Sequence, residues 1–157
     1  FDLVEGRSVE ILEGNGWGGG QATGYLMPAN LTVASYLLGT KYQPDFSKII
    51  LALEDVNEAP YRIDRMLTQW RMAGILQQVK GIALGRFSQC SSGRMNNTDF
   101  TVEEVLGDRL GDLNIPIVSD LAFGHDGPNA ALPVGVEVSL DGEKGILEIL
   151  KKDCWSQ

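Results

Sequence analysis

Residues 49–74 read IILALEDVNEAPYRIDRMLTQWRMAG, and the fold class follows from this stretch. The first five residues, Ile49 to Leu53, are apolar with no alternation. A strand that shows water neither face has this pattern. The run stops abruptly at Glu54 and Asp55. Pro60 suits the first turn of a helix, where its missing N–H would have no partner in any case. Ile63, Met66, Leu67 and Trp70 then recur at i, i+3, i+4 and i+7, while Arg62, Asp64, Arg65 and Arg71 take the other face and Gly74 ends the helix. A second apolar run, Gly81 to Phe87, reads as another buried strand. Strand, amphipathic helix and strand in this order predict an α/β domain with a mixed sheet or small barrel.

The flanking sequence extends the pattern. Thr101-Val102-Glu103-Glu104 predicts a capping box opening a helix to about Leu110, and Ile115 to Val118 a further strand. Val134 to Leu140, the turn DGEKG, and Ile146 to Leu150 predict a closing hairpin. Asn30 reads as the N-cap of a short helix, Leu31 to Leu38, stopped by Gly39. Ser8 to Leu12 alternates as a strand. Between these lies GNGWGGG, Gly14 to Gly20, with five glycines in seven residues. It lacks the G-K-[ST] of a phosphate-binding P-loop, so it reads as a turn region between strands. The polar segment from Ser88 to Asn97 reads as an exposed loop.

With 157 residues, 43% hydrophobic and 22% charged, the chain is expected to form one domain around one core. The net charge of −8 and the lack of a basic stripe argue against a nucleic-acid partner. No apolar run reaches membrane-spanning length, and no signal peptide is visible. Cys90 and Cys154 are far apart and there is a single histidine, so the expectation is no metal site and no cofactor.

That histidine, His125, lies in the glycine- and proline-rich stretch LAFGHDGPNAALPVG, just after a short apolar run. Glu54 likewise follows a strand. If the two strands are parallel neighbours, both residues reach one sheet edge, where ligands of open α/β sheets bind. A carboxylate beside an imidazole is half of a nucleophilic triad: the carboxylate fixes the tautomer and the imidazole takes a proton from a hydroxyl. The sequence offers no convincing nucleophile. It has no G-x-S-x-G elbow, Ser88, Ser91 and Ser92 belong to the polar segment, Ser35 to a helix, Ser119 is a weak candidate, and Cys90 has no neighbour to lower its pKa.

The segments GYLMPANLTVASYLLGT, ILALEDVNEAPYRIDRMLTQW, VKGIALGRF and FGHDGPNAALPVG, in this order, resemble the C-terminal domain of LD-carboxypeptidases, the serine peptidase family that also holds the microcin C immunity peptidases. The resemblance runs from about Gly20 to Leu150. It implies a swivelling β/β/α-type fold. It also implies a Ser-Glu-His triad whose serine is carried by an N-terminal domain, expected to precede Phe1, and whose other members match Glu54 of LED and His125 of GH. The implied reaction removes terminal D-alanine from a murein tetrapeptide at an L,D bond, in the cytoplasm, with no metal and commonly as a homodimer. The chain by itself is then expected to be inactive. An immunity-type peptidase cleaving a peptide–nucleotide antibiotic, and a non-catalytic module for peptide binding or dimerisation, are the alternatives.

Other residues have rival readings. Asp55 and Glu58 share the loop with Glu54, which its position directly after the strand favours. Asp126 adjoins His125, but adjacent side chains rarely pair well. Arg62 and Arg65 suit a substrate carboxylate, or a solvated helix face with an ion pair to Asp64 or Glu58. Asn129 is expected to hold the loop through its side chain, and Trp17 to belong to a flap or a dimer contact.

Overall fold

A computed structural model describes residues 11–91 and 100–150. The elements are β1 (Ile11–Glu13), β2 (Asn15–Gly16), β3 (Gln21–Asn30), α1 (Leu31–Ser35), β4 (Ile49–Val56), α2 (Pro60–Met72), β5 (Gly81–Ser88), α3 (Val102–Leu110), β6 (Ile117–Ser119), β7 (Glu137–Asp141) and β8 (Ile146–Ile149). All described strands join one sheet in the order β1-β8-β7-β3-β4-β5-β6-β2. Strands β3 to β6 run parallel at its centre, and the pairs around them are antiparallel. The mixed sheet is therefore the realised alternative, and the small barrel is not. No ladder joins the two edge strands, although Gly14 alone separates them in sequence. The sheet is accordingly rolled until its edges meet at that residue. A β carbon on Gly14 would lie 2.1 Å from the Ser119 carbonyl oxygen, so only glycine fits the seam.

The alternation of β4 explains its unbroken apolar run. Leu51 and Leu53 pack with Ile63, Leu67 and Trp70 beneath the helices. Ile50 and Ala52 face the concave side with Leu26, Ala83, Val118 and Leu140. Each layer is a core, and β4 is buried between them. Helix α2 starts at Pro60 in its first turn and buries Ile63, Leu67 and Trp70, as its spacing predicts. Met66 is only partly buried. Both parts of the α3 capping box are formed, by Thr101 and Glu104. Asn30 caps α1 through Oδ1, which accepts from Val33 N at 3.0 Å. The helix is shorter than expected: beyond Ser35 the chain continues to Leu38 in turns and reverses at Gly39, at φ 74°.

Helices α2 and α3 are tied by charge. Arg71 grips Asp112 with two bonds of 2.6 and 2.7 Å and donates to the Arg109 carbonyl, while Arg109 Nε lies 2.6 Å from Asp64. Arg71 thus ties α2 to the end of α3, and Arg62 pairs with Glu58, not Asp64.

One central element departs from expectation. Gln21–Asn30 forms the ten-residue strand β3 through a segment holding Gly24 and Pro28. Leu26 N points to Val136 on the β7 side, so Pro28, two residues on, turns its missing N–H the same way. The β3–β7 ladder ends at Tyr25, and the proline interrupts no bond. The terminal strands begin and end slightly off the expected bounds, and Ser8–Glu10, the segment from Ser92 to Asn97, and Cys154 lie outside the described residues.

Candidate active site

Period-two alternation decides between the adjacent acids at the end of β4. Glu54 inherits the side of Ala52 and emerges on the concave face. Asp55 inherits the side of Leu53 and turns toward α1. There Asp55 is 2% exposed and accepts four hydrogen bonds: from Asn30 Nδ2 at 2.9 Å, Thr32 N at 2.9 Å, Thr32 Oγ1 at 2.8 Å and Val56 N at 2.8 Å. It anchors the start of α1 to the end of β4. Asn30 stands opposite Glu54 in the β3–β4 register, and its amide also reaches Glu54 Oε1 at 3.3 Å.

His125 Nδ1 lies 2.6 Å from Glu54 Oε2, with the glutamate side chain 13% exposed and the imidazole 50%. A carboxylate only accepts, so Nδ1 carries the proton of this bond and Nε2 is the free nitrogen. The route by which they meet differs from the expected one. Strands β4 and β6 are not neighbours, since β5 lies between them. After β6 the chain kinks at Asp120, at φ 61°, and follows β5: Leu121 N donates to Leu84 O and Arg86 N to Phe123 O. It then turns at Gly124, at φ 133°, and delivers His125 over β5 to Glu54. The crossing takes place at Gly85, where a β carbon would lie 2.4 Å from the Phe123 ring.

The loop carrying His125 is held by side chains. Asn129 Oδ1 accepts from Gly124 N at 3.1 Å, so its amide does brace the loop. Asp126 pairs with Arg86 Nε at 2.8 Å instead of with His125, and the Arg86 guanidinium also bonds the carbonyls of Asp126 and Pro128.

Glu54 and His125 line an open cleft of about 530 Å³ together with Pro28, Asn30, Asn129 and Leu132. Among the described residues, no serine, threonine or cysteine lines it. Of the hydroxyls weighed as nucleophiles, Ser88 is buried at the end of β5, and Ser35 and Ser119 are engaged elsewhere. Ser35 Oγ donates to Leu31 O and accepts from Trp70 Nε1 at 2.8 Å, and Ser119 is bonded to Asp120 and Trp17. Burial pushes the Cys90 thiol pKa up, opposite to what a nucleophile needs. Arg62, Arg65 and Glu58 line a separate hollow between α1 and α2, where Arg62 pairs with Glu58 and both arginines lie near the Tyr61 ring. Trp17 is fixed by its backbone to Ile117 and by its indole to Ser119. No group of three or more acidic, histidine or cysteine side chains among the described residues is placed to hold a metal, and no described helix is long and apolar enough to cross a membrane. Sequence reading missed Asn30 as a partner of Glu54, because β3 went unrecognised. It also missed Arg86, whose one signal is a cation at the end of an apolar strand.

The rolled mixed sheet with this cleft is the fold of a peptidase class. Residues 23–140 match the family described as LD-carboxypeptidase C-terminal domain. The chain belongs to the LD-carboxypeptidase family. It is 58% identical over 147 residues to a putative carboxypeptidase of Synechocystis sp., covering 94% of this chain and 48% of the relative. It is 32% identical over 124 residues to the murein tetrapeptide carboxypeptidase of Pseudomonas aeruginosa, covering 77% of this chain and 39% of that protein. The crystal structure of muramoyltetrapeptide carboxypeptidase from Oxalobacter formigenes superposes with a TM-score of 0.82 at 32% identity, over 96% of this chain and 53% of that one. The microcin C7 self-immunity protein MccF shares the fold, with a TM-score of 0.73 at 21% identity, over 91% of this chain and 41% of that one. The chain spans about half the length, or less, of the curated relatives it matches.

Proposed function

We propose that this chain is the C-terminal part of a murein tetrapeptide LD-carboxypeptidase and supplies the Glu54 and His125 of a Ser-Glu-His triad, its serine coming from a domain outside the chain. The 2.6 Å contact between His125 Nδ1 and Glu54 Oε2 carries the reading. With Nδ1 committed to the carboxylate, Nε2 is the base. It takes the serine proton as the oxygen attacks the carbonyl of the L,D peptide bond. It returns that proton to the amine of D-alanine as the C–N bond breaks, and water then releases the acyl group by the same relay. Asn30 and Glu54 on adjacent strand ends fix one partner, and the clamped loop fixes the other. A cleft walled here without a hydroxyl or thiol among the described residues fits a nucleophile delivered from across it. Cytoplasmic recycling of murein peptides, a homodimeric parent and chemistry without a metal belong to the same reading and rest on the family resemblance.

The test compares this chain alone with the same chain joined to a serine-bearing domain of a relative, following D-alanine release from murein tetrapeptide. The joined protein is expected to turn over and the chain alone to release nothing. D-alanine release by the isolated chain would refute the divided triad.

A further inference from the structure

We propose that Arg86 is a positioning residue for His125, a clamp that replaces the backbone bonds its loop lacks. The inference rests on the Glu54–His125 reading above. The loop leaves the sheet at Gly124 and returns where Ala130 N bonds Ala122 O at 2.8 Å. Over this stretch it holds two glycines at positive φ, Gly124 and Gly127, and Pro128, which has no N–H to donate, so few backbone hydrogen bonds fix it. Arg86 projects from β5 beneath it. Nε donates to Asp126 Oδ1 at 2.8 Å, while Nη2 donates to the Asp126 carbonyl and, at 2.5 Å, to the Pro128 carbonyl. The loop folds closely around the guanidinium, since a β carbon on Gly127 would lie 3.5 Å from Arg86 Cζ. The same residue's backbone N–H holds the Phe123 carbonyl at 2.9 Å. One residue therefore grips the chain on both sides of His125. The guanidinium's planar fork, with donors on separate nitrogens in fixed directions, suits three acceptors spread around one loop; an ammonium's three donors radiate from a single atom on a flexible stem. Arg86 touches neither Glu54 nor the imidazole in this arrangement, so it acts through the loop.

Because His125 is the chain's only histidine, its imidazole can be observed directly and without a substrate. Long-range proton–nitrogen NMR correlation, at a pH of about 8 where ordinary imidazole is neutral, reads which nitrogen carries the proton. The wild type is expected to show a single Nδ1–H tautomer with a proton protected from water. Arg86→Met is expected to lose the Nδ1–H signal and average the two nitrogen shifts toward those of a free imidazole. Arg86→Lys is expected to do so in part, and it carries the test if the methionine variant does not fold. Arg109→Met, which breaks the 2.6 Å ion pair with Asp64 on the helical layer, is expected to keep the wild-type spectrum. A folded Arg86 variant with an unchanged His125 signal overturns the inference, as does equal loss of the signal in Arg109→Met. A wild-type imidazole protonated on Nε2 overturns instead the triad reading beneath it.

Discussion

Gly85 and Phe123 occupy space that admits no side chain between them: a β carbon on Gly85 would stand 2.4 Å from the Phe123 ring and 2.6 Å from its carbonyl oxygen. Phe123 is itself 4% exposed, wedged in the concave core, and has nowhere to retreat. The segment carrying His125 crosses β5 at this point, so Gly85→Ala lifts the crossing and draws the imidazole from Glu54. We expect a loss of about 1–3 kcal/mol in stability from overpacking, read by chemical denaturation, together with lower D-alanine release by the proposed fusion to a relative's serine-bearing domain. Wild-type values for both would contradict the account of the crossing.

Glu54→Gln keeps the size of the side chain and replaces an obligate acceptor by a carboxamide. The amide can present its N–H to Nδ1 and hold the opposite tautomer. In the chain joined to a serine-bearing domain of a relative, kcat is expected to fall by roughly 10³- to 10⁴-fold, with KM little changed, because the lost interaction belongs to the transition state. Steady-state kinetics on the tetrapeptide measure both.

Asp55 has a different task, and its substitution reports on stability. Asp55→Ala leaves the donors of Asn30, Thr32 and Val56 facing a cavity. A loss of about 3 kcal/mol is expected from unpaired buried donors, seen as a lower urea midpoint with an unchanged slope. Asp55→Asn, which keeps one acceptor oxygen, should lose less.

The division of labour between Glu54 and Asp55 shows what the sequence could carry. The apolar run Ile49–Leu53, the spacing of α2 and the Thr101–Glu104 box are local patterns, and they gave strand β4 and two of the helices. Glu54 was preferred over Asp55 on position, and the alternation of β4 supplies the physical reason. Strand β3 was illegible because Gly24 and Pro28 both count against a strand. They fit only because β7 stops at Tyr25 and because the backbone of Lys48 comes so near Gly24 that a β carbon there would lie 2.7 Å from the Lys48 oxygen. Those are facts about partners, which no local pattern contains. The same holds for His125, whose path over β5 depends on Gly85 meeting a segment 38 residues away, Phe123.

The α2–α3 contact should respond to acid. The Arg71 guanidinium bonded to Asp112 holds that carboxyl below its ordinary range. Its contribution is therefore complete above the unfolded-state value, about 3.9, and disappears as pH falls through the lower folded value. Asp112→Asn is expected to melt below the wild type at neutral pH, and the two melting curves to converge in strong acid. A difference that persists unchanged there would assign the effect to packing.

The seam at Gly14 has a consequence for the order of assembly. The hexapeptide Ile11–Gly16 bonds Ile146–Glu148 through its first half and Val118–Ser119 through its second. On the ribosome it emerges before either partner, and its β8 partners belong to the last described strand. Joining ends so distant along the polymer is entropically slow. The parallel centre can zip up during synthesis, whereas sealing the roll waits until β8 has been made.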